Sequence, residues 1–117
     1  MKEESGDLYR LKHVKKCIDD LMQIMNGVNA DSFYRDTEKK YAVERVLEII
    51  GEAINHVSPV TLGKANKEIS WRDIVDFRNL VSHEYFRVDY TMVYKIATES
   101  VLELQTTIDY LIQQLEN

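Results

Sequence analysis

The stretch RNLVSHEYF, residues 78–86, places Arg78, Asn79, His83 and Tyr85 within eight consecutive positions. An arginine offers phosphate a planar fork of N–H donors, and a histidine takes up or releases a proton near neutral pH. Together the two suit general acid–base cleavage of a phosphodiester. No set of carboxylates with metal-ligand spacing adjoins them, so such cleavage is expected to run without a metal, with an RNA 2′-hydroxyl as the nucleophile. Asn79 and His83 stand i, i+4 and share one helical face. Arg78 and His83 are five residues apart, about 140° beyond a full turn. They converge on one cleft only if the helix ends near His83.

The element carrying these residues has readable ends. Ser70, with Asp73 three residues on, forms a capping-box-like start in which Asp replaces the usual Glu. The spacing predicts a short helix over about 71–83, with Trp71, Ile74, Val75, Phe77 and Val81 as its apolar side and Arg78 and Ser82 on a different stripe. Before it, SPVTLGKANKEIS, residues 58–70, reads as a loop.

Three longer helices complete the chain. Ser5 or Asp7 can cap a first helix running to about Asn26, with Leu11, Val14, Ile18, Leu21 and Met25 on one face and Gly27 as a left-handed stop. Asp31 or Ser32 can start a second, running to about Val57, with a stripe of Tyr41, Val43, Val46, Leu47, Ile50, Ile54 and Val57. Its other face carries Glu44, Arg45, Glu48, Glu52 and Asn55. Gly51 sits inside this helix, where it costs about 1 kcal/mol against alanine, and a close helix neighbour would justify it. Asp89 or Thr91 begins the last helix, whose Ala97, Val101, Leu104, Ile108, Leu111 and Leu115 form a bundle seam. The expected fold is all-α, an antiparallel four-helix bundle formed by residues 1–117 as a single domain.

Composition agrees. Hydrophobic residues make up 44% of the 117, enough for a packed core, and one proline with four glycines favours long helices over a turn-rich β fold. Cys17 is the single cysteine, which excludes an intrachain disulfide and a cysteine metal cluster. The net charge of −5 argues against holding nucleic acid by bulk electrostatics. Residues 64–87, with five basic and four acidic side chains, net +1 and leave −6 for the remainder, so the motif region is the least acidic part. The start MKEESGDLY lacks the basic and apolar regions of a signal peptide. No apolar run approaches the roughly 18 residues that span a membrane. A cytoplasmic protein without a membrane contact is expected.

Arg78, His83 and Tyr85 read R-x4-H-x-Y, which resembles the HEPN superfamily and specifically the HepT-like toxins of prokaryotic toxin–antitoxin pairs. SWRDIVDFRNLVSHEYFRVD resembles that family's signature helix and the turn after it, and VLEIIGEAINHV its second helix. The resemblance covers nearly the whole chain; one departure is Ser70, where relatives often carry proline. It implies that Arg78 and His83 are the catalytic pair of an endoribonuclease, with Asn79 in the same site. It implies a homodimer whose motifs face one cleft, with RNA as substrate and no cofactor. It also implies a minimal nucleotidyltransferase as antitoxin, which transfers AMP to the motif tyrosine, here Tyr85. The expected products are a 2′,3′-cyclic phosphate and a 5′-hydroxyl. The alternative is a non-catalytic helical binding partner of a nucleotidyltransferase.

Simpler roles are set beside these. A plain surface arginine at position 78 would pair with Asp76 or Glu84. His83 would merely complement the negative end of its helix, Asn79 would be a surface polar residue, and Tyr85 would pack beside Phe86 with its hydroxyl in water. Glu52 and His56, i, i+4 without a third ligand, are expected to pair with each other rather than hold a metal, with Glu52 at the edge of the cleft. His13 has no evident partner.

Overall fold

The period-3.6 apolar stripes fold as the sequence pattern requires, with changes at the joints. The structure, a computed structural model, describes residues 2–117, with side chains described from Gly6 onward. Helices α1 (Lys2–Met25), α2 (Ala30–Arg35), α3 (Thr37–Asn55), α4 (Pro59–Leu62), α5 (Trp71–His83), α6 (Tyr90–Lys95) and α7 (Val101–Glu116) follow in order, and no strand occurs among the described residues. A 3-10 turn, Tyr85–Arg87, follows α5, and a π-helical turn, Ile96–Ser100, joins α6 to α7. The α6–α7 rod therefore continues where one last helix was expected, and its start is as read: Asp89 caps α6 by accepting from Thr91 N at 2.9 Å.

The core lies where α1 meets α3 and α7. Leu11, Val14, Ile18 and Leu21 of α1 are fully enclosed, with Val43 of α3 and Ile108 and Leu111 of α7. Lys15–Asp109 and Lys12–Glu116 ion pairs lace α1 to α7 in antiparallel register. Gly27 has φ 75°, the left-handed stop expected after α1.

Three expectations need correction. The second helix is broken. Asn29 and Ser32 form a reciprocal capping box on α2, and Asp36 then accepts from Lys39 N at 3.0 Å to start α3. Asp31 and Ser32 thus lie inside α2, because the side chains that satisfy helical N–H groups are Asn29 and Asp36. The loop 58–70 contains α4, capped by Ser58. Asp7 lies within α1 and does not start it; Ser5 is also within α1, with its side chain outside the described residues. Asp7 is instead buried and accepts from Ser58 N at 3.1 Å, Ser58 Oγ at 2.6 Å and Thr61 Oγ1 at 2.6 Å. A charged acceptor with three donors fastens α1 to the α3–α4 corner.

Helix α5 packs on α3 at the margin of the bundle, and Val81 is its one buried residue. The α5 face turned from the core is therefore open to solvent. An apolar groove of about 280 Å³ separates α5 from α7, floored by Leu47, Ile50, Ile74, Phe77, Val101 and Leu104.

Candidate active site on helices α3 and α5

Helix α5 begins at Ser70, whose Oγ accepts from Asp73 N at 3.4 Å, and ends at His83, with Glu84 as its C-cap. Both ends fall where the capping chemistry places them. Position on the helix then sets the direction of each motif residue. Arg78 is one turn from Ile74 and turns toward α3. Asn79 and His83, about 100° and 140° further round, lie on the exposed side.

Arg78 is pressed against Gly51. A Cβ built on that glycine would lie 2.5 Å from Arg78 Cβ and 3.1 Å from the Ile74 carbonyl oxygen. Gly51 therefore lets the two helices approach, which is the close neighbour its position called for. The Arg78 guanidinium makes an ion pair with Glu52 through Nη2 and donates from Nη1 to Asn79 Oδ1 at 2.8 Å. Its Nε is buried and has no partner among the described residues. Asp76 and Glu84, the partners of a plain surface arginine, are taken instead by Arg72 at 3.8 Å and Arg87 at 3.2 Å.

The contact with Glu52 is one rung of a ladder. Glu44, Glu48 and Glu52 stand one turn apart on α3; the first two accept from Tyr90 and Ser82, and Glu52 forms the ion pair with Arg78. The order descends on α3 as it ascends after α5, as antiparallel packing requires. The Ser82 hydroxyl donates to Glu48 at 2.6 Å, and with Arg45 it outweighs burial to hold the Glu48 carboxyl below its ordinary value. Burial and the neighbouring Glu44 push the Tyr90 hydroxyl well above the usual tyrosine range. Glu52 also meets His56 Nε2 at 3.1 Å, the expected pairing. Tyr41, read as part of the α3 core stripe, is 61% exposed and leans on the Tyr90 ring instead. Two residues from the fully buried Val43, Tyr41 lies about 200° round the helix and so on its outer side.

A cavity of about 420 Å³ opens beside Arg78, lined by His13, Arg45, Glu48, Ile49, Glu52 and Arg78. In the sequence His13 has no evident partner and Arg45 falls on a polar face. Nothing local marked either as a neighbour of Arg78, since α1, α3 and α5 bring them together only by packing. His83 does not line this cavity. It is exposed at the end of α5 and makes no hydrogen bond or ion pair among the described residues. Within one chain, Arg78 and Asn79 are brought together, whereas Arg78 and His83 do not share a pocket.

Tyr85 and Phe86 follow on the 3-10 turn, 71% and 74% exposed, edge to face at 6.1 Å. The Tyr85 hydroxyl has no partner among the described residues. Those residues hold no group of three or more His, Cys, Asp or Glu side chains arranged for a metal. No described helix is long and apolar enough to cross a membrane.

Comparison with known proteins adds to this geometry. The family described as Ribonuclease HepT-like matches residues 14–111, a span that includes Arg78, Asn79, His83 and Tyr85. A protein from Thermococcus cleftensis named "Probable ribonuclease HepT" is 30% identical over 95 residues, covering 81% of this chain and 86% of its own. Two proteins provisionally named as RNases are also similar. One, from Caldanaerobacter subterraneus subsp. tengcongensis, is 27% identical over 104 residues, covering 89% of this chain and 92% of its own. The other, from Methanocaldococcus jannaschii, is 28% identical over 99 residues, covering 85% and 90%. No solved structure matches the chain significantly.

Proposed function

The chain belongs to the HepT-like ribonuclease family, and from that premise we propose that it is the toxin of a toxin–antitoxin pair, an endoribonuclease that acts as a homodimer in the cytoplasm. The observation that carries the reading is the pairing of an anchored arginine with a free histidine. Arg78 is held by Glu52 and Asn79 beside a cavity, while His83 is exposed and unpartnered one turn further on.

In this reading the RNA 2′-hydroxyl attacks the adjacent phosphorus. The bond to the 5′-oxygen breaks, leaving a 2′,3′-cyclic phosphate and a 5′-hydroxyl. Arg78 stabilises charge developing on the phosphoryl oxygens. The attacking hydroxyl loses one proton and the leaving oxygen gains one. One His83 per chain provides one of these transfers, and two motifs facing each other in a homodimer provide both. Asn79 keeps the Arg78 fork in place. No step requires a metal.

A minimal nucleotidyltransferase antitoxin would silence the site by adding AMP to Tyr85. Its exposed hydroxyl, two residues from His83, suits such a transfer, and the added phosphate would compete with RNA for the arginine. The second reading, a non-catalytic helical partner of the nucleotidyltransferase, draws on the Arg78–Glu52 ion pair, which leaves the arginine neutralised in the isolated chain.

Purified, unmodified protein incubated with RNA in the presence of a chelator separates the two. Cleavage with cyclic-phosphate ends, lost in Arg78→Ala and in His83→Ala, is the expected result. Intact RNA after prolonged incubation with unmodified dimer would leave the scaffold reading.

A further inference from the structure

We infer that Glu52 is an internal competitor for the phosphate site at Arg78, and that His56 holds the Glu52 carboxylate when phosphate displaces it. The inference rests on the reading of Arg78 as the phosphate-binding group. Glu52 stands between two cationic or proton-donating side chains, touching Arg78 through Oε2 and His56 through Oε1. A carboxylate presents an arginine with two oxygens much as a phosphate does. With Glu52 in place, the guanidinium is already occupied and its charge compensated.

The surroundings provide for an exchange. The cavity beside Arg78 brings Arg45 and His13 to the same space, so an arriving phosphate meets further donors there. The buried Arg78 Nε is a donor not yet used. Arg78 keeps Asn79 as a partner at 2.8 Å when Glu52 leaves. Glu52 keeps His56 at 3.1 Å, so neither side chain is stranded by the change. The Glu52 side chain is about half exposed, while the Oε2 that faces Arg78 is buried and lacks a hydrogen-bond partner among the described residues. Glu48, by contrast, is committed to Ser82 and Arg45 and makes no hydrogen bond to Arg78. The exchange therefore belongs to Glu52 alone among the α3 ladder carboxylates. It has a cost for every RNA that binds, which keeps the arginine from holding stray phosphate in a protein with a net charge of −5.

The test is the affinity of a 2′-deoxy oligonucleotide, which cannot be cleaved, for wild type, Glu52→Gln, Glu52→Ala and Glu48→Gln at one fixed salt concentration. Removal of a half-exposed ion pair's competition is expected to tighten binding about two- to fivefold in both Glu52 variants. Adding Arg78→Ala to Glu52→Gln should abolish the gain. In RNA cleavage the Glu52→Gln change should lower KM. Binding that is unchanged or weaker in folded Glu52 variants overturns the inference. So does an equal gain in Glu48→Gln, which would make the effect one of general charge. Loss of cleavage activity by all proteins, with the Glu52 effect on affinity intact, would remove the ribonuclease reading and leave the competition standing. Failure of every variant to bind the oligonucleotide would overturn both.

Discussion

Gly51 and Arg78 are in contact across the α3–α5 interface, so close that a Cβ on the glycine would stand 2.5 Å from the arginine's own Cβ. The first atoms of the Arg78 side chain are thereby fixed against a backbone, and the guanidinium is delivered to Glu52, the next residue on α3.

Gly51→Ala is expected to destabilise the protein although alanine is the better helix former. The propensity gain is about 1 kcal/mol. The obstacle is not a flexible side-chain end but Arg78 Cβ and the Ile74 carbonyl, so α5 must move, at a cost of about 1–3 kcal/mol. Urea denaturation should show a lowered midpoint. A raised midpoint would mean that α5 slides freely on α3.

Asp7→Asn is expected to cost about 2–3 kcal/mol at neutral pH, as the charged acceptor of the Ser58 and Thr61 hydroxyls is lost. The effect has a sign in pH. Burial raises the Asp7 carboxyl, but hydrogen bonds from Ser58 and Thr61 outweigh it, and the net position is below the ordinary 3.8. A carboxyl lowered on folding contributes fully above its unfolded value, and that contribution is lost as pH falls through the folded one. Wild type should therefore lose its advantage over Asp7→Asn between about pH 5 and pH 2. Denaturation midpoints of the two proteins across that range check it.

His83→Ala should separate stability from chemistry. The side chain is exposed and unpartnered, so unfolding free energy should stay within about 0.5 kcal/mol of wild type. RNA cleavage should fall by about a hundredfold or more. Arg78→Ala should lose both, since it keeps the Cβ that rests on Gly51 but removes the ion pair with Glu52. Paired melting curves and cleavage rates distinguish the two variants. Full activity in His83→Ala would move the proton transfer to another group.

Co-expression with the proposed nucleotidyltransferase antitoxin should add mass in AMP steps at Tyr85 and not at Tyr90. The Tyr85 hydroxyl is exposed, whereas the Tyr90 hydroxyl donates to Glu44 beneath the Lys40 ammonium, which lies 5.1 Å from its ring. Intact-mass spectra and peptide mapping read this directly. Tyr85→Phe should remain at the unmodified mass and retain cleavage. A label on Tyr90 would place the partner on a different face.

The sequence by itself determined the elements whose signals are local. The bounds of α5 follow from Ser70 and the end of the apolar pattern at His83, the start of α6 from Asp89, the stop after α1 from Gly27, and the seam of α7 from its heptad spacing. Each rests on a side chain bonding backbone within a few residues, or on one face of a single helix, and so is legible along the chain. The motif residues were legible in the same way, by type and spacing. The break at Asp36 was also local, but Asp36 lies within a run that keeps its helical pattern, so the cap was hidden.

Only the tertiary structure decided where those residues point and what they meet. Asp7 reads as an N-cap until Ser58 and Thr61, more than fifty residues away, are folded onto it. Tyr41 reads as core until Val43, two residues on, is the one turned inward. A plain surface Arg78 would pair with Asp76 or Glu84, but α5 is laid antiparallel on α3 and Glu52 takes it. Helical periodicity records the angle of a residue on its own axis. Which neighbouring helix lies at that angle is set by packing, and packing turned Arg78 inward to Glu52 while leaving His83 in the open.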